Sequence, residues 1–119
     1  MNFKIFIRLI ACVIFILSVI SCRSTGANFN SQLSESPIEV TLLKFEFIPK
    51  TLHIKVGQTV RWINKEKRQY HSVWFKQQGE QESDYLFPED SLEKKFVTPG
   101  SYPYRCGPHP EMIGTILVE

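Results

Sequence analysis

The sequence predicts an all-β domain, a small sandwich of about seven to eight short strands with little or no helix. Three observations carry this reading. Between Pro37 and Glu119 apolar residues tend to alternate with polar ones, β-branched and aromatic residues crowd the same segments, and turn residues punctuate them at short intervals.

The elements follow in order. "IEVTLLKFEFIP" opens the domain with β-branched and aromatic residues. "TLHIKV" alternates strictly, with Leu52, Ile54 and Val56 on one face, His53 and Lys55 on the other, and Gly57-Gln58 as the turn. "TVRWIN" sets Val60 and Trp62 against Arg61 and Ile63, and "HSVWF" places His71, Val73 and Phe75 together, so that His71 shares a face with core residues. Residues 76–90 are polar and acidic enough for a surface connection with one helical turn at most. "SLEKKFVTPG" and "SYPYRC" read as strands around the Pro99-Gly100 turn, and "GTILVE" is a last strand.

At 119 residues the chain holds one domain, residues 37–119, with two segments ahead of it. Residues 1–21 carry Lys4 and Arg8 and then an apolar run from Leu9 to Ile20, short of the roughly 20 residues that span a bilayer, and so read as an export signal of the lipoprotein type. The run ends in "VISC", which resembles a lipobox and makes Cys22 the candidate lipidation site. Cleavage after Ala27 and a retained signal anchor are the competing outcomes. Residues 22–36, rich in Ser and Asn, read as a flexible tether with a reach of roughly 20 Å. A location on the periplasmic or cell-surface side, with membrane contact through the N-terminus, is expected.

The formal charge of +2 belongs to that leader, because without Lys4 and Arg8 there remain 12 basic residues against 12 acidic ones. No persistent basic face is left for a nucleic acid. Cys12 lies in the signal, Cys22 is the possible lipid site, and Cys106 stands alone, so the domain forms no internal disulfide. A lone thiol in an exported protein needs burial or a bound partner.

"YRCGPHPEMIG" supplies that partner. Cys106, His109 and Met112 fall three residues apart on a turn bent by Gly107, Pro108 and Pro110, and can aim a thiolate, an imidazole and a thioether at one point. His71, inward-facing at the start of a strand near a loop, is the natural fourth donor. Two imidazoles, a thiolate and a weak axial thioether form the blue-copper donor set, able to hold both Cu(I) and Cu(II). Taken singly, each residue has an ordinary structural reading as core histidine, small hydrophobe or gap filler; the spacing argues for the joint one. Structural zinc prefers four strong donors, and here the fourth is a thioether.

The stretches "FEFIPKTLHIKVGQTVRWIN", "YHSVWF" and "GSYPYRCGPHPEMIGTILVE" resemble the plastocyanin-like cupredoxins, and within them the amicyanin branch, whose ligand loop has the same short Cys-x-x-His-x-x-Met spacing. The resemblance covers residues 38–119. It implies a Greek-key β-sandwich with one copper ion held at one end by His71, Cys106, His109 and Met112, and the His109 ring edge exposed through an apolar patch. Two positions depart from the pattern. Ser72 stands where an asparagine usually ties the ligand loops together, and is expected to loosen that link; Arg105 precedes the cysteine where the amicyanin branch has histidine.

With every strong donor supplied by protein, no position is open for substrate, and His53, facing outward beside Lys55, is the only histidine left for a second centre. The expected function is electron transfer by a monomer, between partners such as a dehydrogenase, cytochrome or oxidase, rather than enzyme catalysis. A carrier that delivers copper to another protein is the alternative. Lys65, Lys67 and Arg68 before His71 form a basic rim that could steer an acidic redox partner.

Overall fold

A computed structural model describes residues 35–119. The expected export signal, the Cys22 lipidation site and all of the tether before Glu35 lie outside the described residues.

The segment 38–49 folds as two strands, β1 (Ile38–Leu43) and β2 (Glu46–Ile48). The break falls at Lys44 and Phe45, which both adopt positive φ, 54° and 59°. Positive φ at both central residues defines the tight hairpin turn usually built from Asn-Gly. Neither residue is a turn former, so composition alone does not announce the bend. β3 (Thr51–Ile54), β4 (Thr59–Asn64), β5 (Ser91–Lys95), β6 (Gly100–Arg105) and β7 (Ile113–Val118) complete the set. The only helical piece among the described residues is a single 3₁₀ turn at Lys76–Gln78, closed by Gly79 in the left-handed conformation.

The strands form two sheets, β2-β1-β4-β5 and β3-β7-β6. Each sheet contains one parallel pair, β1 with β4 and β3 with β7, among antiparallel neighbours. Parallel partners cannot be joined by a tight turn. The chain therefore crosses between the sheets, from β2 into β3 and back into β4, in the expected Greek-key manner. Inward residues of both layers meet around Trp62, whose ring is approached edge-on by Phe75 at 5.9 Å and Tyr104 at 5.6 Å. Val40, Leu42, Val60 and Ile116 are fully buried around it.

Two expectations change. Val56 was placed inward by alternation, but β3 ends at Ile54 and Val56 is exposed in the following turn, its N–H donating to the Glu119 carbonyl. "HSVWF" keeps the inward phase of His71, Val73 and Phe75, all buried, without forming a continuous strand. Its ends serve different neighbours: His71 pairs with Leu86 and Trp74 with Arg105, at the end of β6. The segment thus bridges one loop to the other sheet, and this carries His71 to the end of the sandwich where β6 stops.

Candidate metal centre

Residues 106–112 connect β6 to β7, an antiparallel pair in register from Gly100 opposite Val118 to Arg105 opposite Ile113. The hairpin is closed above that last pair by the Cys106 N–H donating to the Met112 carbonyl at 2.9 Å, and the Met112 N–H donates to the His109 carbonyl at 2.9 Å. Cys106 and Met112 therefore leave the ladder side by side and dip into the core, both buried. His109, between Pro108 and Pro110, stays partly exposed at the tip.

His71 arrives from the opposite side, fully buried, its N–H donating to the Leu86 carbonyl and its carbonyl accepting from the Leu86 N–H. The loop before it is held by a residue that the sequence reading passed over. Asn64, at the end of β4 and fully buried, donates through Nδ2 to the carbonyls of Gln69 and Leu86, each at 2.8 Å, and accepts from the Glu66 N–H at 2.9 Å. One amide satisfies the Gln69 carbonyl and the Glu66 N–H and gives the Leu86 carbonyl a second bond beside that from the His71 N–H. A signal was present, since Asn64 continues the inward phase of Val60 and Trp62.

The result is a three-donor cluster. Cys106 Sγ lies 3.8 Å from His71 Nδ1 and 3.4 Å from His109 Nδ1, and the donor atoms of the three residues all fall within 4.8 Å of one another. Donors bound about 2.0–2.3 Å from one first-row metal ion, at angles between tetrahedral and trigonal, sit roughly 3.3–3.8 Å apart. The sulfur-to-nitrogen separations match. Met112 is packed in the same buried cluster as Cys106 and tied through its backbone to both Cys106 and His109, which keeps the fourth expected donor beside the other three. His53 is exposed on β3 and takes no part.

Electrostatics prepare His71 for a metal. Desolvation by burial, and then the neighbouring His109, lower its pKa from the ordinary 6.5, against an opposing pull from Glu66. The ring is thus held neutral at physiological pH, as a ligand must be. Its Nδ1 faces the thiol, and its Nε2, without a hydrogen-bond partner, faces Glu66 Oε1 at 3.8 Å. Glu66 in turn accepts from the Phe45 N–H at 3.1 Å. A carboxylate behind the outer nitrogen of a ligating histidine fixes the tautomer and the ring orientation.

Two features differ from the sequence expectation. Ser72 was expected to loosen the link between the ligand loops, yet its Oγ accepts from the Gly107 N–H at 2.8 Å, and its own N–H points at Cys106 Sγ at 3.4 Å. A serine suffices because the backbone N–H of Gly107 comes to it, so little reach is needed. The basic rim is also smaller than expected. Lys65 forms an ion pair with Glu89 at 2.7 Å, which leaves Lys67 and Arg68 as exposed cations without an ion pair among the described residues.

Above the cluster lies Phe45, nearly half exposed, with its ring edge-on to His71 at 5.7 Å and to His109 at 4.9 Å. Tyr70 continues the cover, 6.4 Å from His109, and stacks loosely with Tyr85 and Phe87. Phe45 and Tyr70 thus flank the partly exposed His109, and Tyr85 and Phe87 extend the exposed aromatic surface from Tyr70.

Comparison with known proteins agrees with the geometry. The plastocyanin/azurin family of copper-binding proteins matches residues 35–119. Amicyanin of Paracoccus denitrificans is 32% identical over 93 residues, covering 75% of this chain and 70% of that protein. Amicyanin-alpha of Methylorubrum extorquens is 38% identical over 85 residues, covering 68% and 71%. Among solved structures, a tryptophan-to-tyrosine variant of amicyanin in its reduced state superposes with a TM-score of 0.67 at 34% identity, over 74% of this chain and 87% of that one.

Proposed function

Because the chain belongs to the plastocyanin/azurin family of copper-binding proteins, we propose that it is a type 1 blue-copper electron carrier, with one copper ion held by His71, Cys106, His109 and Met112. The observation that carries this reading is the buried thiol facing two imidazole nitrogens at 3.4 and 3.8 Å. Copper so bound supplies a one-electron Cu(I)/Cu(II) couple.

The rest is the work of the chain's own residues. The β6–β7 hairpin fixes Cys106, His109 and Met112 in mutual register, and Asn64 with Leu86 fixes His71, so the donors need not move when the charge changes. Such preorganisation keeps the reorganisation accompanying electron transfer small. His109, half-covered at the tip, offers the short route between the buried donors and the surface. Phe45, Tyr70, Tyr85 and Phe87 exclude water around that route and offer a docking face to a redox protein such as a dehydrogenase, cytochrome or oxidase. Lys67 and Arg68 beside that face favour an acidic partner. Burial of Cys106 and Met112 supports retention of the metal rather than its delivery to another protein.

Copper addition to the full-length protein is expected to give intense thiolate-to-copper absorption and a reversible couple in voltammetry, with both lost in Cys106→Ser. A colourless parent, or colour that survives the substitution, would sink the reading. For the N-terminus, the reading is an exported protein on the periplasmic or cell-surface side, anchored through lipidated Cys22. Labelling with a fatty-acid analogue that is unchanged in Cys22→Ser would refute the anchor.

A further inference from the structure

Glu82 lies in the connection between the 3₁₀ turn and β5, distant in sequence from every expected ligand, yet its carboxylate reaches the junction of the two ligand loops. The Ser72 hydroxyl has one proton to give. Its oxygen already accepts from the Gly107 N–H at 2.8 Å, so its proton goes to Glu82 Oε1, at 2.6 Å. That separation is typical of a hydroxyl donating to an ionised carboxylate. The carboxylate is also seated directly on Gly107: a Cβ at that position would overlap Glu82 Oε1 and its carbon. Glycine at position 107 is therefore the residue that makes room for Glu82. Among the described residues Glu82 has no cationic partner, whereas nearby Glu80 is paired with Lys94 at 2.8 Å and Glu89 with Lys65. Glu82 is exposed, so water screens its charge in part, but no cation cancels it, and it stands one hydrogen bond from Ser72, whose N–H faces the sulfur of Cys106.

Resting on the copper reading above, we propose that Glu82 is a positioning residue that acts through Ser72 and Gly107, and that its fixed negative charge lowers the reduction potential of the copper centre. Reduction by one electron makes the centre more negative by one charge. An adjacent anion therefore opposes reduction and stabilises the oxidised form. The same carboxylate orients Ser72 to receive the Gly107 N–H, which couples the His71 segment to the ligand loop. Charge and hydrogen bonding can be separated, because Glu82→Gln keeps the acceptor oxygen and the volume while removing the charge.

The test uses the copper-loaded full-length protein and measures both the reduction potential and the thiolate-to-copper absorption. Glu82→Gln is expected to keep the absorption band and to shift the Cu(I)/Cu(II) ratio at a fixed applied potential about tenfold toward Cu(I), equivalent to about 59 mV for a one-electron couple. Gly107→Ala, which displaces the carboxylate without altering Glu82, is expected to shift the ratio in the same direction. In the double variant the two shifts should fail to add, because both remove the same charge from the same place. A Glu82→Gln ratio within twofold of the parent, a shift toward Cu(II), loss of the band, or fully additive shifts would each overturn the proposal. A parent without the band would instead refute the copper reading itself, a result distinguishable from all of these.

Discussion

The two sides of the candidate site are held by different means. Cys106, His109 and Met112 hang from the end of a hairpin whose six paired positions and closing backbone bond set their spacing. His71 belongs to no strand. Its segment makes only two isolated bridges, and its position rests on a buried amide, Asn64, and on the loop around Leu86. A ladder spreads its restraint over many similar bonds, so that no single side chain is indispensable. The other side concentrates restraint in a few side-chain contacts, each of which is a single point of failure.

That contrast can be broken most forcefully at Asn64. Asn64→Ala strands the Gln69 carbonyl and the Glu66 N–H and removes one of the two bonds to the Leu86 carbonyl, and is expected to cost about 2–4 kcal/mol, measured by urea denaturation. Hydrogen exchange should show the loss concentrated in residues 65–71 and around Leu86, with β6 and β7 retaining their protection. Equal loss on both sides would mean that the sides are not independently held.

A smaller effect is expected from the hairpin side. Gly114, buried in β7, lies under the Tyr104 ring, and an added Cβ would fall 2.5 Å from Tyr104 Cζ. Gly114→Ala should cost about 1–3 kcal/mol, as overpacking generally does. The ladder should nevertheless keep the spacing of Cys106, His109 and Met112, visible as an unchanged copper absorption band. A band that moves more than in Asn64→Ala would reverse the comparison.

Acid is the gentlest probe, and it acts on one side. The folded-state pKa of His71 lies below its ordinary 6.5, so between those two values the unfolded chain binds more protons than the folded one. The stabilisation is complete above pH 6.5 and declines as pH falls through the folded-state pKa. Metal-free protein should accordingly lose stability below about pH 6.5, and His71→Gln should flatten that dependence. A slope unchanged in the variant would assign it to other groups.

Legibility in the sequence follows the same division. The hairpin side could be read almost entirely, because its donors are contiguous, its strands alternate, and its bends carry glycine and prolines. His71 could be read from its phase with Val73 and Phe75. Asn64 was available to the same argument, since Trp62 two residues earlier faces the core. Phe45, Glu66 and Glu82 were not readable. They reach the site from a turn and two loops, where side-chain direction has no period, and the turn at Lys44 and Phe45 lacks the residues that usually announce one. The all-β sandwich was legible in class but not in its parallel pairs or its register, which depend on contacts between segments far apart in the chain.

One of those distant contacts orders events in time. β3 acquires its partner only when β7 is laid beside it in parallel, from Thr51 opposite Thr115 to Ile54 opposite Val118. Pairings across such separations form late, because the intervening chain must first be brought together. β7 is also the strand that completes the hairpin beneath Cys106. A folding chain therefore carries an unsheltered thiol until β7 docks, and the interval before docking is when an oxidant or a stray metal can reach the sulfur first.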